Sequence, residues 1–342
     1  MRILVTGHKG YIGAVMVPAL RDAGHEVTGL DSDIFRGITF APGLQEIPEL
    51  PIDIRDVQPH HLQGFEAVIH LAALSNDPLS NLNPEITNEI NFAASVRLAQ
   101  LAKDAGVSRF LFSSSCAIYG KAGTELLDET AEIAPVTPYN ISKLRVEQEL
   151  ASLASDQFSP TFLRNATAYG VSPRHSFELV LNNLVAWAHI TGRVFIKSDG
   201  SPWRPIVHIE DISRAFLGVL SAPREVVHNQ ALNVGCNDEN YSIRELAEIV
   251  RQVVPGSHVE YARDGGPDAR SYRVDFSKIQ RLVPDFKPEW NSRRGAEQLY
   301  AAYAREELAL EDIEGPRFRR LDHLKELIAS GRMDSTLRWR AV

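Results

Sequence analysis

The chain has 342 residues, 44% hydrophobic and 23% charged, the make-up of a globular protein with room for roughly two domains. A net charge of -8 without any long lysine or arginine run excludes an electrostatic nucleic-acid footprint. No stretch reaches the roughly 18 uncharged apolar residues a membrane span needs. The two cysteines, Cys116 and Cys236, form neither a disulfide framework nor a metal-ligand set, which suits a reducing, cytoplasmic setting.

Met1-Arg2-Ile3-Leu4-Val5-Thr6 enters a strand-like run at once, leaving no room for a signal peptide. Up to about residue 170, short apolar runs alternate with helical periods. Strands are expected at 3–5, 27–30, 67–71, 109–113 and 161–164, with helices at 12–23, 85–105 and 139–154. Within 85–105, Ile86, Ile90, Ala94, Leu98 and Leu101 recur at helical spacing and make one apolar face. Repeated strand–helix–strand units with fully apolar strands predict an α/β, Rossmann-type doubly wound parallel sheet covered on both faces. After 171 the rhythm loosens. Helices are expected at 177–191, 212–220 and 243–253, the last with Ser242 as N-cap, and strands at 194–197, 205–209 and 231–234. The final segment carries Arg317, Arg319, Arg320, Arg338 and Arg340 and is expected to be a solvated basic tail; packing on the body and service to a partner are its alternatives.

Thr6-Gly7-His8-Lys9-Gly10-Tyr11-Ile12-Gly13 follows the first strand and opens the first helix. Gly7 allows the tight turn, Gly10 a close backbone approach to a pyrophosphate, and Gly13 close helix–strand packing. The helix start, with Tyr11 and Ile12, offers N–H groups and a positive dipole end to phosphate. Asp31 ends the second strand about twenty residues on, where a carboxylate suits ribose hydroxyls and repels a 2′-phosphate, so NAD is expected over NADP. This places a dinucleotide-binding domain at 1–171, with 206–235 returning to it, a smaller C-terminal substrate-binding domain at 172–205 and 236–310, and a tail at 311–342. Tyr139 and Lys143, four apart on a helix, reach the same point. An ammonium beside a phenol of ordinary pKa about 10 favours the phenolate, making Tyr139 a proton acceptor.

These residues resemble the extended short-chain dehydrogenases/reductases, in particular the NAD-dependent sugar-nucleotide epimerases and dehydratases, over about residues 1–300. Thr6–Gly13 resembles the family's TGxxGxxG, and Tyr139 with Lys143 its YxxxK pair. The resemblance implies that Asp53-Ile54 contacts adenine and that His70-Leu71-Ala72-Ala73 runs beside the cofactor. It puts a structural asparagine at Asn91, counted among the cofactor residues, and a substrate-orienting serine at Ser115. Arg204, with Arg270 as a second candidate, resembles the arginine holding the substrate's diphosphate, for which guanidinium forks suit. Asn183 lies where the family places substrate-facing amides. It also implies a homodimer through the helices at 85–105 and 139–154.

Two departures matter. Cys116-Ala117 stand where 4,6-dehydratases carry an Asp-Glu pair, and Thr167 stands where an asparagine often meets the diphosphate. Cys116 is counted among the substrate-binding candidates; its thiol is expected to be buried and inert, with an extra acid/base as the alternative. The expected function is NAD-dependent epimerisation of a nucleoside-diphosphate sugar at C4 through a 4-keto sugar, with NAD retained. A dehydratase or 4-ketoreductase is the alternative on the same fold. Ser115, Tyr139 and Lys143 are the expected catalytic residues, and no metal is expected.

Overall fold

The computed structural model describes residues 1–120, 125–262, 271–315 and 317–340. The first half builds β1 (Arg2–Thr6), α1 (Gly13–Asp22), β2 (Glu26–Leu30), β3 (Glu49–Leu50), β4 (Ala67–His70), α2 (Ala94–Asp104), β5 (Arg109–Ser115), α3 (Pro138–Leu153) and β6 (Ser159–Asn165). The second half adds α4 (Val180–Thr191), α5 (Ile209–Ser221), β7 (Gln230–Val234), α6 (Ile243–Val253), α7 (Ser292–Arg305) and α8 (Arg320–Ala329). The strands form one parallel sheet of seven, ordered β3-β2-β1-β4-β5-β6-β7. Alternation along each strand sorts its side chains between two layers. Ile3, Val5, Ile69, Leu111 and Leu163 bury with Met16 and Leu20 of α1 and Ile212 and Phe216 of α5. Leu4, Val68, Phe110, Phe112 and Phe162 bury with Leu98 and Ala102 of α2 and Val146 and Leu150 of α3. The strand order reverses between β1 and β4, and the crevice beyond their carboxyl ends is where a doubly wound sheet takes its ligand.

The helix expected at 85–105 is interrupted. A turn at Pro84–Thr87 and a π-helical turn at Asn88–Ala93 precede α2. The π turn carries Asn91 into the interior. A second core, with Leu181, Val185, Leu246, Val250, Leu299 and Tyr303, joins α4, α6 and α7. Ser242 caps α6 in a full capping box with Glu245. Trp203–His208 pairs in parallel with Thr167–Tyr169 and antiparallel with Asn240–Ser242, bringing Arg204 alongside the crevice.

The expectation of a solvated tail is corrected. Leu324 and Leu327 of α8, with Met333 and Leu337, bury against Leu74, Leu79 and Ile86. Apolar side chains on one side of the segment outweigh its arginines, several of which find partners. Arg338 pairs with Asp56 at 3.1 Å, Trp339 Nε1 donates to the Ser32 carbonyl at 2.7 Å, and Arg55 donates to the Thr336 carbonyl at 2.8 Å. Among the described residues no helix is long and apolar enough to cross a membrane.

Candidate active site

A cleft of about 510 Å³ runs from the glycine turn to Tyr139 and Lys143. Gly7 has φ +73°, and a Cβ there would stand 2.8 Å from the Ala72 nitrogen. A Cβ on Gly13 would stand 2.3 Å from the Gly7 carbonyl oxygen, so both positions exclude a side chain. No side chain caps the start of α1; the Ala14 and Val15 amides bond the Gly10 and Ile12 carbonyls at 3.0 and 3.1 Å, and the amides of Ile12 and Gly13 ahead of them are left for an anion. The Asp31 carboxylate accepts from the Lys9 and Asp33 amides at 3.0 and 2.8 Å and is held at the cleft wall. Asp53 caps the turn Ile54–Asp56 and holds Arg55 in a bidentate pair at 2.9 and 2.7 Å, so its orientation in the wall is set. Ile54, Leu71, Ala72 and Ala73 also line the wall. His70 bridges the Thr6 hydroxyl at 2.7 Å and the Ser95 hydroxyl at 2.8 Å, and Thr6 Oγ1 accepts from the Ala72 amide at 3.2 Å. Burial pushes His70 down to about 3, so this neutral imidazole ties the ends of β1 and β4 together. A glycine cradle, an uncapped helix start and a fixed carboxylate fit an adenine dinucleotide.

At the other end, Ser115 terminates β5 and Tyr139 stands in the first turn of α3, whose N-cap is Thr137. Ser115 and Tyr139 both line the cleft, and the Ser115 side chain lies near enough to act on the Tyr139 phenol. Lys143, one turn on, donates to the Ser113 carbonyl at 2.6 Å, and its Nζ lies 4.6 Å from the Phe112 ring centre and 5.7 Å from that of Tyr139. The charge reading from sequence is corrected here. Burial raises Tyr139 to about 12, opposed by the nearby Ser115 side chain and reinforced by the Asp77 carboxylate. Burial lowers Lys143 to about 7 despite Glu147. The ammonium is spent on a carbonyl and an aromatic face, and desolvation dominates both groups.

Three of the expected site residues lie outside the cleft lining. Asn91 lies outside the cleft lining: its amide receives the Leu74 N–H at 2.8 Å and donates to the Leu74 carbonyl at 3.1 Å, fixing the loop after β4. Cys116 is fully buried, its Sγ 3.0 Å from the Arg164 carbonyl, and burial pushes the thiol far up, so it faces the core. Asn183 donates to the Phe177 carbonyl at 2.9 Å and is also outside the lining. Thr167 and Arg204 do line the cleft, Arg204 donating to the Trp203 carbonyl at 2.8 Å. Arg270 lies outside the described residues. Tyr11 lines the cleft while its hydroxyl donates to the Gly170 carbonyl at 2.7 Å.

Sequence reasoning missed Asp77, Glu178, Arg320 and Leu337, all in the cleft lining. It also missed the buried support behind the strand ends. Glu147 accepts from Arg164 at 2.7 Å and from the Ser114 hydroxyl, and Tyr119 joins Arg164 to Asn233. Asp77 follows the Leu71-Ala72-Ala73 wall closely enough to have been a candidate; the others carry no local signal.

Fold and cleft define a dinucleotide-dependent α/β enzyme acting on an alcohol or ketone. Residues 3–235 match the model of the NAD dependent epimerase/dehydratase family, and the chain belongs to that family, with NAD as its cofactor. It is 31% identical over 278 residues to a UDP-glucose 4-epimerase of Streptomyces lividans, covering 74% of this chain and 80% of that one. A UDP-glucose 4-epimerase of Corynebacterium glutamicum is 30% identical over 275 residues, again 74% of this chain and 80% of the relative. Among solved structures, MoeE5 in complex with UDP-glucuronic acid and NAD superposes with a TM-score of 0.78 at 26% identity, covering 89% of this chain and 99% of that one.

Proposed function

We propose that the chain is an epimerase of a nucleoside-diphosphate sugar, inverting C4 of the hexose and retaining NAD through turnover. The observation that carries the reading is one cleft lined by the glycine cradle at one end and by Ser115, Tyr139 and Lys143 at the other. Gly7, Gly10, Tyr11, Ile12 and Gly13 would hold the cofactor's diphosphate, Asp31 its adenosine ribose, and Asp53 and Ile54 its adenine edge. Leu71, Ala72 and Ala73 would flank it, with Tyr139 and Lys143 at its nicotinamide ribose. Bound there, NAD would supply a cationic ring able to accept hydride from the sugar carbon and to return it. Tyr139, raised to about 12 by burial, would need the cationic nicotinamide beside it to ionise; as a phenolate it would take the hydroxyl proton and give it back when the alcohol re-forms. Ser115 orients the same oxygen, and Lys143, held on the Ser113 carbonyl, keeps a titratable donor one turn away. Thr167 and Arg204 would receive the substrate's diphosphate, with Arg270 as a further candidate.

The 4-keto sugar must turn within the cleft for hydride to return to its other face. No acid or base beyond Tyr139 is then needed, which agrees with Cys116 and Ala117 standing where 4,6-dehydratases carry an Asp-Glu pair. A second reading, dehydration, is favoured by Asp77 and Glu178, carboxylates that line the cleft. Incubation with a panel of sugar nucleotides in heavy water, read by NMR, separates the two. C4 inversion gives the epimer without solvent deuterium; elimination gives a deuterated deoxy-ketosugar and refutes the epimerase. A ketoreductase consumes added reduced cofactor stoichiometrically.

The division into 1–171 with 206–235, against 172–205 with 236–310, remains our reading; β7 in the large sheet supports the return of 206–235. A homodimer through α2 and α3 is supported by Ile141, which is 42% exposed on α3, and sedimentation tests it. Two free cysteines support a cytoplasmic location.

A further inference from the structure

We infer that Arg320 is a cofactor-binding residue: its guanidinium engages the dinucleotide's diphosphate, and the C-terminal segment behind it closes the adenosine end of the crevice. The inference rests on NAD lying along the glycine turn.

Arg320 is only 6% exposed, yet it lines the cleft. One N–H donates to the Arg174 carbonyl at 3.1 Å, and the guanidinium lies 4.9 Å from the centre of the Phe35 ring. Among the described residues no carboxylate comes within ion-pair distance of it. Glu178 and Tyr11 feel its charge from further away. A guanidinium has five N–H donors, and taking it out of water without a counter-charge is costly. An anion in the cleft removes that cost. Arg320 and the glycine turn line the same cleft, so a diphosphate bound at the start of α1 would stand in the field of this guanidinium.

The other cations along the cleft are committed elsewhere. Lys9 pairs with Glu49 at 2.8 Å, Lys143 sits on the Ser113 carbonyl, and Arg204 stands on the strand beside Thr167. Arg320 is also held in place. Arg174, whose carbonyl it uses, grips Asp33 at 3.0 Å and the carbonyls of Phe35 and Ile38. Beyond α8, Leu337 lines the cleft, and Trp339 and Arg338 fasten the segment to Ser32 and Asp56. Those anchors flank Asp31 and Asp53, the carboxylates proposed to meet ribose and adenine. Escape of the cofactor on this side requires the segment to lift.

A sugar nucleotide carries the same diphosphate chemistry, so the test has two arms. Full-length wild type, Arg320→Gln and Arg320→Lys are compared for NAD per chain after acid release, rate of NAD loss on dilution, melting temperature, and UDP binding by calorimetry. Arg320→Gln is expected to weaken NAD retention by about 10- to 100-fold, the scale of a lost charge-assisted contact. Arg320→Lys should recover part of it, with UDP binding unchanged. Wild-type NAD retention in Arg320→Gln overturns the inference, as does weakened UDP binding with NAD intact. Should Arg320→Gln fail to fold, Trp339→Ala, which unties the segment from Ser32, must speed NAD loss; an unchanged rate overturns the inference. A wild-type chain that binds no NAD sinks the reading of the crevice itself.

Discussion

Replacing Glu147 with alanine tests the buried support of the reacting end. Glu147 and Arg164 are each 5% exposed, and the carboxylate accepts from Arg164 Nε at 3.1 and 3.2 Å, from Nη2 at 2.7 Å, and from the Ser114 hydroxyl. Without it, Arg164 keeps the Tyr119 hydroxyl at 3.1 Å and the Glu129 carbonyl at 3.4 Å, neither of them charged. Breaking a buried pair from one side costs about 3–5 kcal/mol, because the remaining charge is uncompensated. Against a total stability of roughly 5–15 kcal/mol this is a large fraction. Urea unfolding followed by far-UV circular dichroism should place Glu147→Ala and Arg164→Ala each in that range. The double variant Glu147→Met/Arg164→Met should cost less than the two single losses added, since no charge is stranded. Glu147 also raises the Lys143 pKa, so its removal should move any activity limb set by Lys143 to lower pH. A Glu147→Ala loss below about 1 kcal/mol, or a strictly additive double variant, would refute the reasoning.

Tyr139→Phe should lower kcat by about 100- to 10,000-fold while the purified protein keeps its NAD; undiminished turnover would remove Tyr139 from the chemistry. Cys116→Ala should leave turnover within about twofold, and the native Cys116 thiol should resist a disulfide reagent until the protein unfolds. Burial lowers both His70 and His175 to about 3. The unfolded chain takes up these protons near pH 6.5, the folded chain only near 3, so stability is full above 6.5 and drains as pH falls. Each histidine should cost about 1.6 kcal/mol between pH 6.5 and 5, read from urea midpoints, and His70→Asn should lose about half of that slope. A flat profile over that interval contradicts both assignments.

The sheet was legible because its strands are buried on both faces and read as continuous apolar runs. The pair Glu49–Leu50 carries no such run; only its pairing with Gly29 and Leu30 makes it a strand. The π turn at Asn88–Ala93 was hidden because Ile86, Ile90 and Ala94 keep an ordinary helical rhythm across it. Tyr139, Lys143 and the glycine cradle were legible as residue types at fixed spacing. Their charge states were not, since those depend on how much water the fold removes. The C-terminal segment failed for the opposite reason. Its arginines dominate the local composition, while the value of Leu324, Leu327 and Leu337 depends on a surface made by Leu74, Leu79 and Ile86, far earlier in the chain.

That long separation has a consequence for assembly. The bond from Trp339 to Ser32 joins positions 307 apart, and Arg338 reaches Asp56 across 282. Ribosomes deliver the glycine turn and its strand long before either anchor, and contacts so distant in sequence mature slowly. A nascent chain can therefore fold its parallel sheet, and expose an open dinucleotide groove to the cell's nucleotide pool, well before synthesis reaches the residues that finish the enclosure.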